Sequence, residues 1–171
     1  MAVIIGRLVQ WRNSINPYRK YQLGPNSTTK EIEEPLARLH CDARALRVEE
    51  DPYVQATSRA IELVLYLSWP PQVRVDLTLL ASELKEDLSQ LQVRPCVYMD
   101  LTSFHLMIGA ISADKGTQTR AWFVGKISRV VLAMRMRGWG EKLRVLERGL
   151  TSDTSLRPQL KALWKEINNE E

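Results

Sequence analysis

The chain has 171 residues, 44% of them hydrophobic and 26% charged, which lies in the ordinary globular range and is enough for one compact domain. No run approaches the ~20 apolar residues of a membrane span, because the most apolar stretch, Ala60 to Trp69, contains Glu62. The first six residues, MAVIIG, are followed directly by Arg7 and lack the pattern of a secretory signal, so we expect a protein that is not secreted.

Charge is distributed unevenly around a formal net value of +4. Residues 1–30 have five basic and no acidic residues, residues 31–100 have seven basic and 13 acidic, and residues 101–171 have 12 basic and seven acidic. Two interpretations follow. The oppositely charged parts associate with each other, or the basic end faces an anionic partner.

The first half of the chain predicts helices separated by turn formers. Apolar residues at helical spacing predict a docking helix over residues 1–15, and the Pro, Gly, Asn and Ser of residues 16–30 predict a loop or linker. A helix is expected over 34–48 with Pro35 in its first turn, and another over 52–68 with Asp51 as its N-cap.

The leucines of residues 73–92 form a regular stripe, with Glu83, Lys85, Glu86 and Asp87 expected to point away from it. The stripe resembles a short coiled-coil seam, which implies a dimer. Its length of under three heptads favours packing inside one core instead.

Residues 101–150 predict three further helices, with apolar stripes beginning at Leu101, Phe123 and Trp139. A last helix is expected to begin near Pro158, with its apolar stripe formed by Leu156, Leu160, Leu163 and Ile167. The sequence therefore predicts an all-α fold, an irregular bundle of about seven helices. We expect residues 31–168 to form one domain and residues 169–171 a frayed tail.

Several stretches follow one another in the order of a known family. They are an aliphatic-tyrosine helix and loop (53–72), small residues ending a helix (108–113), Arg120-Ala121-Trp122-Phe123, the turn at 138–141 and the closing helix at 160–167. Over residues 51–168 the chain resembles the C-terminal part of the fungal-specific transcription factor domain, the helical regulatory region found downstream of a binuclear zinc cluster. The six cysteines of that cluster are absent, since the chain has only Cys41 and Cys96.

The resemblance implies a non-enzymatic domain for transcription regulation and protein interaction, without its own DNA-binding module. It implies a nuclear protein, with the cytoplasm as the alternative, and partners that are regulatory proteins or segments of a parent transcription factor. Direct DNA contact is not expected. The resemblance leaves open whether a small-molecule effector binds. Family-motif residues, expected to be structural, are Gly109, Arg120, Trp122, Phe123, Trp139 and Trp164.

No pattern points to a catalytic, metal or cofactor site. His40, Cys41, Cys96 and His105 lack zinc-ligand spacing, and the chain has no nucleophile elbow and no phosphate-binding glycine loop. We therefore expect no metal, no cofactor and no enzymatic activity.

Two sets of residues have alternative interpretations. Arg120 either caps or pairs locally or has a specific role. The densest basic run is either a solvated face or a nucleic-acid contact, which makes a basic nucleic-acid-binding protein the alternative function; its residues are Lys126, Arg129, Arg135, Arg137, Lys142, Arg144 and Arg148. A third hypothesis is a truncated relic without independent activity.

Overall fold

The structure, a computed structural model, describes residues 29–68, 75–91, 99–133 and 156–167, together with Gly6. These residues contain no strand, which confirms the all-α prediction for them. They form six α-helices, compared with about seven expected for the whole chain: α1 (Thr29–Ala45), α2 (Pro52–Ser68), α3 (Leu77–Gln90), α4 (Met99–Ser112), α5 (Gln118–Ala133) and α6 (Arg157–Ile167). Of the helix predicted over 1–15 the structure describes only Gly6, which is helical, and the helix predicted from Trp139 lies outside the described residues.

Helix α1 begins earlier than the sequence pattern indicated. It starts at Thr29, inside the predicted loop, so Pro35 lies inside the helix and not in its first turn. The stretch before Pro35 is rich in Glu and Lys, which favour helix, and proline removes only one intrahelical hydrogen bond there. A 3-10 helix, Leu46–Val48, then leads towards α2.

Helix α2 has the predicted bounds, Pro52–Ser68. The backbone N–H of Tyr53 donates to a carboxylate oxygen of Asp51 at 2.8 Å, and the N–H of Gln55 donates to the backbone carbonyl of Asp51 at 3.1 Å. The capping residue and the proline after it therefore define this end of the helix, as the sequence predicted.

Helix α3 is shorter at both ends than predicted. Asp76 caps it by accepting a hydrogen bond from the N–H of Leu79 at 3.0 Å, and Leu84 and Leu88 of the leucine stripe are buried. The prediction that Asp87 points away from the core was wrong, because Asp87 is only 6% exposed. Arg59 of α2 provides an ionic partner for it.

Helix α4 occupies the centre and packs against α2, α3, α5 and α6. It is buried on more than one side, which a single stripe does not predict: besides Ile108, the polar residues Ser103, His105 and Ser112 are buried. The hydroxyl of Thr57 on α2 lies 3.0 Å from Nε2 of His105, so this imidazole has a polar neighbour in the core. None of the helices in the described part of the chain is both long and apolar enough to cross a bilayer.

Candidate functional site

A tight turn joins α4 to α5 and places Arg120. Gly116 has a φ of +83°, a backbone conformation that glycine adopts without steric cost. The hydroxyl of Thr117 donates to the carbonyl of Asp114 at 2.7 Å and accepts from the backbone N–H of Arg120 at 3.2 Å. Thr117 therefore caps α5, and Arg120 follows in its first turn.

The side chain of Arg120 is turned inward and is only 8% exposed. Its Nη1 donates to the carbonyls of Ala110 and Ala113, at 2.6 Å and 3.0 Å. Carbonyls at the end of a helix lack partners within the helix. Arg120 thus satisfies the buried end of α4 from the neighbouring helix.

The same guanidinium binds α6. Nη2 of Arg120 lies 2.7 Å from one carboxylate oxygen of Glu166, and Nε lies 3.2 Å from each of the two oxygens. These hydrogen bonds are the main reason why the pKa of Glu166 is lowered, and the positive charge of Lys115 adds to the effect. We call the contacts of Arg120 with α4 and α6 the Arg120 junction.

Gly109 allows α4 and α5 to come close at this junction. A Cβ atom built on Gly109 would lie 2.3 Å from Cζ of the Phe123 ring, well inside van der Waals contact. Gly109 and Phe123 are both buried. Only glycine fits beneath this ring without displacing it.

Four of the other sequence-selected residues, Trp122, Lys126, Arg129 and Trp164, are half-buried or exposed. Trp122 is half-buried, with its ring 5.0 Å from that of Phe123 and the Lys126 Nζ 5.3 Å from the Trp122 ring centroid. Arg129 is exposed on α5, and Trp164 is half-buried on α6. The remaining selected residues lie outside the described part of the chain: Trp139, Arg135, Arg137, Lys142, Arg144 and Arg148.

The sequence prediction did not include a second ionic cluster, which joins α1 and the 3-10 helix to α2. Glu62 of α2 is 1% exposed, and its carboxylate accepts from Nε of Arg44 at 2.9 Å and from Nη2 of Arg47. Arg44 also donates to the hydroxyl of Tyr66 at 3.3 Å. We call this group the Glu62 junction. Its one sequence signal was an acidic residue within the most apolar run of the chain.

Arg59 carries the ionic contacts onward from α2 to α3. Its Nη1 lies 2.5 Å from a carboxylate oxygen of Asp87, and its Nε lies 3.1 Å from Glu83. Burial raises the pKa of Asp87, and the opposing effect of Arg59 only partly compensates. The carboxyl group of Asp87 therefore ionises less readily than one in water.

The two histidines contact aromatic rings and, in the case of His105, a hydroxyl group. The pKa of His40 is lowered, first by burial and then by the nearby charge of Arg44, and its ring lies 4.8 Å from that of Tyr66. Cys41 is exposed, and Cys96 lies outside the described residues. Among the residues described, His, Cys, Asp and Glu form no group of three or more suited to a metal ion.

The chain matches no family model, and no curated protein or solved structure shows significant similarity to it. The described residues are all-α, and ion pairs between arginines and carboxylates join their helices. Chemically, these ion pairs hold helices together.

Proposed function

We propose that this chain is a non-enzymatic regulatory domain of a transcription regulator and acts through contacts with other proteins. One observation carries the proposal. Gly109 belongs to one stretch of the family resemblance, Arg120 and Phe123 to a second and Glu166 to a third, and the four residues meet at the junction of α4, α5 and α6. Three of the stretches that carry the resemblance in sequence thus pack against one another, and this contact is what supports the proposal.

The ionic contacts support a non-catalytic role. Arg120, Glu62 and Asp87 are buried, and each is engaged by an oppositely charged side chain on a neighbouring element. A group held in this way serves the fold, whereas catalysis needs a reactive group with access to substrate.

In this proposal, residues 31–168 form one domain and the protein works in the nucleus. Its partners are other regulatory proteins or segments of a parent transcription factor, and a DNA-binding protein brings it to the promoter. A small-molecule effector is compatible with this role but is not required by it.

A promoter-tethering experiment tests the proposal. The full chain, fused to an unrelated DNA-binding domain, should change the output of a reporter gene. Arg120→Ala should abolish the change because it removes the contacts among α4, α5 and α6, whereas Arg38→Ala, at an exposed ion pair on α1, should preserve it. Reporter output equal to that of the DNA-binding domain alone would refute a regulatory role.

Nucleic-acid binding is the second candidate, favoured by the exposed Lys126 and Arg129 on a helix with no acidic residue. Such binding weakens steeply with salt. Fluorescence anisotropy with duplex DNA that detects no binding at about 50 mM salt would eliminate it. The relic hypothesis predicts little protection from hydrogen exchange along the chain.

A further inference from the structure

The outer side of α5 is cationic. The helix contains Arg120, Lys126 and Arg129 and no acidic residue. Arg120 is buried and paired with Glu166, whereas Lys126 and Arg129 are exposed. The potential on this side of the protein is therefore positive and attracts acidic partners.

The same side of α5 also has an apolar strip. Ala121, Gly125 and Leu132 are exposed and lie along one line of the helix. Ser128 lies on the same line between Gly125 and Leu132, half-buried, and its hydroxyl donates to the carbonyl of Val124 at 2.9 Å. The side chain of Leu132 is strongly exposed, at 76%. A Cβ built on Gly125 would have no heavy atom within 4 Å, so the middle of the strip is open to an approaching chain.

The strip and the cations together define a face, which we call the α5 face: Ala121, Gly125, Lys126, Arg129 and Leu132. Going round the helix at about 100° per residue, Arg129 lies next to the strip and Lys126 beyond it on the same side. An approaching helix would thus meet apolar surface first and positive charge along one edge.

We propose that the α5 face docks an amphipathic helix of a partner protein, one with acidic residues along one side of its apolar stripe. The inference rests on the proposed function and names the partner's chemistry. Burial of Leu132 supplies an apolar contribution, and small residues at 121 and 125 permit close approach. Acidic side chains complement Lys126 and Arg129, which favours the correct partner and orientation.

The apolar strip favours a protein partner over nucleic acid. Phosphate contacts use cations and polar groups, so they leave an exposed leucine and its small neighbours unused.

Peptide binding to the ¹⁵N-labelled full chain, followed by NMR, tests the inference. The probes are two synthetic helical peptides of about 20 residues with the same leucine stripe, one carrying glutamate and the other lysine at the flanking positions. The glutamate peptide should shift the backbone amides of Ala121, Gly125 and Leu132. The lysine peptide should leave them unchanged.

Charge reversal then isolates the cations. Lys126→Glu with Arg129→Glu should weaken binding of the glutamate peptide about tenfold, with a larger effect at low salt. The matched control, Arg38→Glu with Lys85→Glu on α1 and α3, makes the same change in net charge away from the face and should bind as the wild type does. Leu132→Ser should weaken binding without changing its salt dependence.

Two results of the peptide experiments would overturn the inference: glutamate-peptide shifts confined to other helices, or equal weakening of binding by both double variants. Shifts with duplex DNA but not with peptide would also overturn it, as would shifts that grow with protein concentration alone, which indicate a second copy of the chain.

The reporter experiment separates the docking inference from the proposed function. If peptide binding fails while the tethered chain still alters output, only the docking inference fails. If peptide binds the α5 face and output never changes, the regulatory function fails alone.

Discussion

The two ionic junctions differ in whether the arginine or the carboxylate is the buried partner. At the Arg120 junction the arginine is buried, with 8% of its side chain exposed, and the carboxylate of Glu166 is 37% exposed. At the Glu62 junction the carboxylate is buried, with 2% exposed, while the side chains of Arg44 and Arg47 are 62% and 29% exposed.

This difference indicates which residue of each junction the fold depends on. Apart from the bond between Arg44 and Tyr66, the buried residue makes every contact of its junction, so its removal breaks all of them at once, whereas each partly exposed partner makes only some of them. Arg120 also donates hydrogen bonds to two backbone carbonyls of the α4 end, and Glu166 does not contribute to these bonds. The dependence should therefore rest on Arg120 in one junction and on Glu62 in the other.

The largest expected effect is that of Arg120→Ala. It leaves two buried backbone carbonyls without donors, at a cost of about 1–3 kcal/mol of unfolding free energy for each, and it releases Glu166, which is partly exposed and adds little. Urea denaturation measures it. Arg38→Ala is the control, since the exposed Arg38–Glu34 pair should change stability by no more than about 0.5 kcal/mol. Equal losses in the two variants would contradict the assignment.

Glu62→Gln should have the next largest effect. Glutamine keeps the shape but lacks the charge that accepts from both arginines, and loss of a charged hydrogen bond in a buried site costs about 1.5–3 kcal/mol. Arg44→Ala should cost less than Arg47→Ala, because the Arg44 side chain is the more exposed of the two. Thermal denaturation of the three variants ranks them, and the reverse arginine order would refute the comparison.

Gly109→Ala tests packing beside the Arg120 junction without changing any charge. The added methyl group overlaps the Phe123 ring and should destabilise the protein by about 1–3 kcal/mol. Gly125→Ala is the matched control on a helix surface, where alanine should add about 0.5–1 kcal/mol of stability. Chemical denaturation of both variants should give opposite signs, and two losses of similar size would argue against the close approach.

The smallest expected effects are in pH dependence, and they differ in sign between Glu166 and Asp87. The pKa of Glu166 is lowered in the fold, so its contribution is present above the ordinary value of 4.5 and lost as pH falls through the folded pKa. The pKa of Asp87 is raised, so its contribution is present below 3.8 and lost as pH rises through the folded pKa. Stability curves of Glu166→Gln and Asp87→Asn against the wild type should therefore change slope in opposite directions in acid.

Local signals in the sequence predicted a helix end correctly where a capping side chain and a proline both mark the same position. Asp51 and Pro52 define the start of α2 by contacts within four residues, so no tertiary information was needed. The position of Pro35 in its helix was predicted wrongly. Proline is typical of the first turn of a helix, so the helix was expected to begin beside Pro35, but the helix-forming residues before it extend α1 towards the N-terminus. Propensity over a longer stretch outweighed a single marker.

The ionic junctions depend on partners far away in the chain, and periodicity holds no information on those. Asp87 lies beside the leucine stripe of α3 and was expected to face solvent. Instead it is buried, and its carboxylate binds Arg59, which is 28 residues away in the chain. Arg120 and Glu166 are likewise 46 residues apart. A sequence reveals which residues can form ion pairs, whereas the packing of the helices decides which ones do.

The contact between Arg120 and Glu166 also links the opening of two helices. Because it closes a long loop, it forms only when α6 has docked on α5, and it breaks whenever α6 departs. Each departure of α6 therefore removes one anchor of the guanidinium that also holds the end of α4. Native-state hydrogen exchange should accordingly find the last turn of α4 and the amides of α6 opening as one cooperative unit.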